Sequence, residues 1–383
     1  MRVLHLVTSG ERRGAEIFAS DLVGALDEAG VVQRVAMLRG PDGQAGPAGQ
    51  AVGFPEGTTV LGTGGPRVPG AGIEVAGLRR LRAMVSRWAP DVIQAHGGEV
   101  LKYAVAATAM HSCPIVYRRI GSAPTWITQG LRRTIYARLL RRTAVVIAVA
   151  ESVRLETLEL FRLPEDQVVT VPNGVDARRL RPSADRTAIR RRLGIPAAAP
   201  VVLSLGALTW EKDPLAHLRA TAPVLARPGG AVHLFAGDGP LRDDLDAAVR
   251  QRGLGDRVRL LGSRPDVADL LAAADVLLFA SQPGGMEGMP AIVIEAGMAG
   301  LPVAGYAVAG VAEVVTTGKT GLLVPPSRED LLSEAVTTLL EDGRRRAAMG
   351  WAARARCRER FGIEVVAPQY LRLYEGVVQG RCA

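Results

Sequence analysis

The stretch 276–303, VLLFASQPGGMEGMPAIVIEAGMAGLPV, constrains the fold more than any other part of the chain. It reads strand, loop, helix, strand. Residues 276–280 are a short apolar run ending at Ser281 and bounded by turn residues, the pattern of a parallel strand buried on both faces. Gly284, Gly285 and Gly288 mark a loop able to approach a ligand closely. Pro290 suits a first helical position, 291–299 reads as the helix, and Gly300 stops it. Leu301, Pro302 and Val303 then start another strand.

Two carboxylates sit in this stretch, Glu287 and Glu295. On one continuous helix they would stand about 12 Å apart, too far to share a small group. Glu287, however, precedes the helix. A loop folded over the helix N-terminus brings Glu287 to one end of a ligand and leaves Glu295 beside the other. The N–H groups of Gly288, Met289 and Ala291 would lie between them, aimed at an anion. Sugar hydroxyls at one carboxylate, phosphate at the helix end and ribose hydroxyls at the other describe a nucleotide-sugar. The plainer alternative is a surface loop with a stray glutamate before a packing helix.

The 383 residues suggest two or three domains. Cys113, Cys357 and Cys382 are isolated, with no C-x-x-C spacing, which points to a reducing cytosol rather than a disulfide framework. MRVLHLV enters a strand pattern directly, so no signal peptide is expected, and no apolar run is long enough to span a membrane. The net charge of +9 is uneven: 23 basic against 16 acidic residues through Pro182, and 24 against 22 after it. A basic lobe can serve an anionic substrate, a membrane surface or a nucleic acid. No zinc-finger, helix-turn-helix or stacking-aromatic pattern supports nucleic acid as a partner.

Taken in order, the chain opens with a strand over 2–8, a turn through Arg12, Arg13 and Gly14, a helix over 15–29 and a strand over 31–38. That start predicts a doubly wound α/β domain. Gly14 at the helix entrance lets backbone N–H groups face an anion, although one glycine is not a dinucleotide fingerprint. A basic helix over 74–88 precedes a strand over 91–96 that ends on His96, where ligands gather in open α/β sheets. The strand over 115–120 carries Arg118 and Arg119. The helix over 130–142 carries five arginines; it reads as a solvated basic face or as a docking surface for anionic lipid. An Arg- and Pro-rich linker is expected over 177–200, with a domain boundary near Pro182. A second α/β domain follows, with strands at 201–205, 233–236, 258–261 and 276–280, and a last helix over 367–378.

This order of pieces resembles the retaining glycosyltransferases of family four. Glu287-Gly-Met-Pro-Ala-Ile-Val-Ile-Glu295, followed by Ala296 and by Gly300-Leu-Pro-Val303, is similar to that family's Glu-x7-Glu signature. Also similar are Pro172-Asn-Gly-Val-Asp176, Glu211-Lys212-Asp213, Gly237-Asp-Gly-Pro240, Asp275 and residues 310–313. The resemblance implies the GT-B fold, two doubly wound Rossmann-like domains facing across a deep cleft. It places an acceptor-binding domain at 1–182 plus a returning C-terminal helix at 365–383, and a nucleotide-sugar-binding domain at 183–364.

The same resemblance implies roles. Lys212 would hold the donor diphosphate, Glu287 the sugar hydroxyls and Glu295 the ribose. The backbone of Gly288, Met289, Pro290 and Ala291 would bind phosphate or sugar, and that of Ser263 and Arg264 would border the base. Gly14 would lie near the diphosphate and His96 near the reacting sugar carbon. Ala207 stands where the family has an arginine, so one phosphate cation must come from elsewhere, with Arg12 and Arg13 as candidates. Arg12, Arg13, Arg118, Arg119, Ser122 and Trp126 would line the acceptor side.

The implied reaction is sugar transfer from a nucleotide-sugar, most commonly a UDP-sugar in that family, to an acceptor hydroxyl of a glycan, glycolipid or small molecule. It needs no metal or other cofactor: no Asp-x-Asp stands at a strand end, and the acidic run 243–246 falls on a helix face. The expected location is the cytoplasm, with the inner face of the membrane as the alternative. A glycosidase also uses two carboxylates but has no use for Lys212 beside a phosphate-facing helix end. The remaining alternatives are a nucleotide-sugar epimerase of the same fold and a non-enzymatic two-domain sugar-binding protein.

Overall fold

A computed structural model describes all residues except 12, 41–52, 69–71, 228, 309 and 381–383. In chain order it runs β1 (Arg2–Ser9), α1 (Gly14–Glu28), β2 (Val32–Arg39), β3 (Thr59–Val60), α2 (Val75–Trp88), β4 (Val92–His96), α3 (Gly98–Ala107), β5 (Ile115–Arg119), α4 (Gly130–Leu140), β6 (Val145–Ala148), α5 (Glu151–Phe161) and β7 (Val168–Thr170). It continues α6 (Arg186–Arg192), β8 (Val201–Leu205), α7 (Pro214–Leu225), β9 (Val232–Ala236), α8 (Arg242–Gln251), β10 (Val258–Leu260), α9 (Val267–Ala273), β11 (Val276–Phe279) and α10 (Ala291–Ala299). The last elements are β12 (Val303–Tyr306), α11 (Val311–Val314), β13 (Gly321–Val324), α12 (Glu329–Glu341), α13 (Gly343–Phe361) and α14 (Ile363–Val378).

Every strand pair is parallel. One sheet has the order β3-β2-β1-β4-β5-β6-β7 and the other β10-β9-β8-β11-β12-β13. The apolar strands are covered on both faces, as parallel sheets require. In β11, Leu277 pairs with Leu203 of β8 on one side and Val303 of β12 on the other. Each sheet reverses its winding once, between β1 and β4 and between β8 and β11. Loops leaving the carboxyl ends of those strand pairs diverge and leave a crevice, the usual place for a ligand in an open α/β sheet.

Two compact units result, residues 1–174 with 363–383, and residues 175–362. The division falls at Gly174, ahead of Pro182. The segment 177–200 is not a linker: α6 is bolted into the second unit. Asp275, just before β11, accepts from Arg186 at 2.7 Å, Arg190 at 2.8 Å and the Val201 N–H at 2.8 Å. Asp275 is thus a structural anchor. In the first unit, α14 closes the sheet face that α1 leaves open. Its Ile363, Val366, Tyr370 and Tyr374 join Val3, Phe18, Leu22 and Val145 in one core.

Three local readings change. The helix α3 is an element the sequence reading does not include; Gly97 is its N-cap at φ 97°. Pro290 is the N-cap of α10 and Ala291 its first residue. The tail helix begins at Ile363 rather than 367, with Pro368 inside it. Burial of Ile363, Val366 and Ala367 outweighs the backbone hydrogen bond that Pro368 cannot make.

Candidate functional site

In the second unit the topological switch gathers residues that lie far apart in sequence. The loop after β8, residues 206–213, carries Lys212; the loop after β11, residues 280–290, carries Glu287. Backbone and side chains stitch the two loops together. The Gln282 N–H donates to the Glu211 carbonyl at 2.8 Å, and the Gln282 amide donates to the Asp213 carboxylate. Asp213, at φ 38°, also caps α7 by accepting from the Ala216 N–H at 2.9 Å. Lys212 and Glu287 then close an ion pair. Ser281 Oγ donates to the same Glu287 oxygen at 3.1 Å, and Lys212 Nζ stands 5.3 Å from the Phe279 ring centre.

Directly after Glu287 the chain enters α10. Pro290 has no side-chain oxygen, so no side-chain cap meets the first N–H groups of that helix; the Pro290 carbonyl accepts from the Val293 N–H at 3.1 Å. The Gly288 carbonyl is held by the Gly310 N–H at 2.7 Å, and Met289 is buried. The positive end of the helix follows three residues after Glu287, the carboxylate that pairs with Lys212. Glu295, one turn further along, is 5% exposed. Its carboxylate accepts from Arg179 Nη2 at 2.6 Å.

The loops after β9 and β10 complete this rim. The Gly237 N–H donates to the Gly262 carbonyl at 2.8 Å, and the Leu208 N–H to the Asp238 carbonyl at 2.9 Å. A Cβ at Gly237 would stand 1.8 Å from the Gly206 carbonyl oxygen, so only glycine allows this approach. Ser263 is exposed. The Arg264 guanidinium is folded onto Asp266 at 2.7 and 2.5 Å, which leaves the backbone of this turn presented.

A buried polar chain lies behind Lys212. The Ala280 N–H donates to His217 Nε2 at 3.0 Å, so Nδ1 carries the ring proton and donates to Ser204 Oγ at 2.5 Å. Ser204 Oγ donates to His233 Nε2 at 2.8 Å, and His233 Nδ1 donates to Thr221 Oγ1 at 2.9 Å. Both rings must be neutral for this chain to close. Burial, and secondarily the charge of Lys212, brings His217 down to about 3. Burial likewise lowers His233 well below the ordinary histidine value.

In the first unit, Gly14 opens α1, and Arg13 is its exposed N-cap, paired with Glu11. Arg12 lies outside the described residues. His96 ends β4 and is buried. It stacks on His5 with ring centres 5.5 Å apart, and its Nε2 lies 3.2 Å from His5 Nδ1. Burial lowers both rings, His5 to about 4 and His96 well below the ordinary histidine value. Arg118 is 1% exposed; it lies 3.9 Å over the Phe18 ring and donates to Asn173. Among the described residues no hydrogen-bond partner meets His96 Nδ1 or the Nε and Nη1 of Arg118. Glu16, in the first turn of α1, is buried close to these groups, and burial raises its pKa.

Arg119 turns inward, bonding Glu156 at 2.8 Å and lying 5.2 Å over Phe161. Arg118 and Arg119 are thus buried rather than surface groups, each held by an aromatic ring and a polar partner. Trp126 is 53% exposed, with its edge to Tyr136 and the Arg132 guanidinium at 5.8 Å.

The sequence expectation missed Arg179, the Gln282 stitches, the His217 chain and Glu16. A histidine on an apolar face and an arginine in an arginine-rich segment carry no local signal of their partners. Among the described residues no group of three or more His, Cys, Asp or Glu side chains is placed to hold a metal ion. Among the same residues no helix is long and apolar enough to cross a membrane.

Residues 12–179 match the family model Glycosyltransferase Family 4, and residues 185–356 match Glycosyl transferases group 1. D-inositol 3-phosphate glycosyltransferase of Kineococcus radiotolerans is 35% identical over 257 residues, 62% of this chain and 58% of the relative. The chain thus spans less than two thirds of that relative's length. Glycogen synthase of Mycobacterium tuberculosis is 30% identical over 319 residues, 80% of this chain and 73% of the relative. In fold the chain is similar to Anabaena HepE, solved in complex with UDP-glucose, with a TM-score of 0.81 at 22% identity over 98% of this chain and 100% of that one. The paired parallel sheets and the two consecutive family matches lead to one conclusion: the chain belongs to the group 1, family 4 glycosyltransferases, which have the GT-B fold.

Proposed function

We propose that this protein moves a sugar from a nucleotide-sugar, of which a UDP-sugar is the first candidate, to an acceptor hydroxyl with retention at the anomeric carbon. The observation that carries this reading is the ion pair of Lys212 with Glu287, just ahead in the chain of a helix, α10, that has no side-chain cap. Breaking the sugar–phosphate bond leaves negative charge on the diphosphate. A helix end contributes about 0.3–1 kcal/mol when exposed and up to about 2 kcal/mol when partly buried. That falls short of the several kcal/mol catalysis needs, so the Lys212 ammonium adds the larger share.

Donor entry exchanges partners. The diphosphate takes the Lys212 ammonium, and the freed Glu287 carboxylate takes sugar hydroxyls. Glu295, steadied by Arg179, accepts from the ribose hydroxyls, and the backbone of Ser263 and Arg264 borders the base. The C1–O bond to phosphate breaks with its electron pair passing to the diphosphate. The acceptor oxygen bonds to C1 on the same face, and its proton passes to a phosphate oxygen. No side chain needs to act as a dedicated base, and no metal is required. On this reading His96 positions the sugar with its unpartnered Nδ1.

The reaction is assigned to the cytoplasm, in keeping with the free Cys113 and Cys357. Around α4, Leu131, Ile135 and Trp126 are exposed among Arg132, Arg133 and Arg138. This mixture suits the inner face of an anionic membrane, where each arginine contributes about 1 kcal/mol, and it favours a membrane-borne acceptor. Cosedimentation with anionic vesicles tests that surface, and absence of binding at low salt rejects it.

The donor is tested by a thermal-shift screen of nucleotide-sugars in EDTA, followed by NMR of the product's anomeric configuration. Stabilisation by one donor and a retained anomer are expected. Nucleotide released without any acceptor would point to an epimerase instead.

A further inference from the structure

We propose that the second unit carries a second anion site, built for an organic phosphate and separate from the Lys212 loop. A cavity of about 500 Å³ lies at the C-terminal end of α10, lined by Arg178, Arg181, Arg354 and Arg358 above a floor that includes Ala272 and Met298. No carboxylate is among the lining residues.

Arg186, Arg190, Arg192, Arg219, Arg227 and Arg264 each have a carboxylate partner. At the cavity, Arg178 pairs with Asp176 at 2.9 Å. Arg354 donates to the Ala299 carbonyl, the exposed negative end of α10, at 2.9 Å. Among the described residues no carboxylate pairs with Arg181, Arg354 or Arg358. Like charges gathered around one concavity raise its potential and draw an anion into it. Guanidinium forks match phosphate oxygens in pairs, the apolar floor suits a small organic group, and the volume is that of a small-molecule site.

The site also has a mechanical link. The single turn Ala177–Leu180 sends Arg178 and Leu180 to the cavity and Arg179 to Glu295. Met298 and Ala299 of the same α10 that carries Glu295 line the cavity as well. An anion there would fix both ends of the Arg179–Glu295 bond. If Glu295 holds the donor ribose, a step that rests on the function proposed above, phosphate and donor affinities are coupled reciprocally.

The test is calorimetric titration of the full chain with inorganic pyrophosphate. It compares the native protein, Lys212→Ala, and Arg181→Ala/Arg358→Ala, whose two side chains make no hydrogen bond or ion pair among the described residues. Lys212→Ala is expected to keep one binding event, and the same event should weaken at least ten-fold when the two arginine substitutions are added to it. Arg358→Glu alone should weaken it as well, with the thermal midpoint unchanged. Pyrophosphate affinity that is the same with and without the arginine substitutions overturns the proposal. So does a double variant that loses phosphatidylglycerol vesicles while keeping pyrophosphate, since the surface would then be a lipid face. If Lys212→Ala changes nothing while the arginine variants lose binding, the donor reading fails and this site stands.

Discussion

Lys212 and Glu287 meet as an ion pair at the switch point of the second sheet, although they lie on loops that leave different strands. Their side chains are about one third and one eighth exposed, 32% and 13%. The pair is positioned by contacts that involve neither charge: the Gln282 N–H on Glu211, the Gln282 amide on Asp213 and the Ala280 N–H on His217. Removing either member leaves its partner without a counter-charge in a half-dry site. Lys212→Ala and Glu287→Gln are each expected to lower kcat/KM by about 100-fold or more, the scale of losing one preorganised electrostatic group. The double variant should be little worse than the worse single one, because the two act as a unit. Steady-state kinetics checks this; losses that multiply would mean that the residues act independently.

Arg179 fixes Glu295 with a 2.6 Å bond inside a mostly buried environment. If that carboxylate receives the ribose, Arg179→Ala should raise donor KM several-fold, with a smaller change in kcat. Glu295→Gln keeps an acceptor oxygen and should lose less than Glu295→Ala. Donor KM unchanged in all three variants would remove Glu295 from the donor site.

Acid should loosen the protein before its carboxylates titrate. His5 is held near 4 and His217 near 3, and His96 and His233 are also lowered, all chiefly by burial. The folded chain keeps these rings neutral, while the unfolded chain protonates them below about 6.5. Their contribution to stability is therefore complete above pH 6.5. It falls as the pH drops from there toward 4 and 3, by up to about 1.4 kcal/mol per pH unit for each ring. Urea unfolding at pH 7, 6 and 5 should show this decline. His217→Asn should be less stable at pH 7 and show a shallower slope. Equal stability at pH 7 and 5 would contradict the buried neutral chain.

The last helix belongs to the first unit's core. The Tyr374 hydroxyl donates to Gln94 Oε1 at 2.9 Å with both residues fully buried. Tyr374→Phe should cost about 1–3 kcal/mol by leaving the glutamine oxygen unpaired. Deletion of residues 363–383 should leave the first unit unable to fold. A truncated chain with native circular dichroism and an unchanged melting temperature would contradict this.

The strand and helix order was legible because burial writes itself into the sequence: β8, β9 and β11 are apolar runs closed by glycine or serine. Lys212, one of only three lysines in a chain rich in arginine, and the Glu287–Glu295 spacing were legible for the same local reason. What was not legible is pairing across the fold. Arg179 is one of many arginines between Pro172 and Pro200, and only the coordinates attach it to Glu295. Asp275 is similar to a motif position of the family, and its three bonds, to Arg186, Arg190 and the Val201 N–H, are likewise made to residues distant in sequence. Arg118 and Arg119 carry no local sign of their burial, because charge normally means exposure. Phe18 and Phe161, distant in sequence, supply the ring faces that let them stay inside.

The most direct test of the central claim is UDP affinity, measured by calorimetry in EDTA for the native chain and for Lys212→Ala. Binding to the native chain and at least ten-fold weaker binding to the variant are expected, with an unchanged melting temperature. Equal affinity in the two proteins would contradict it.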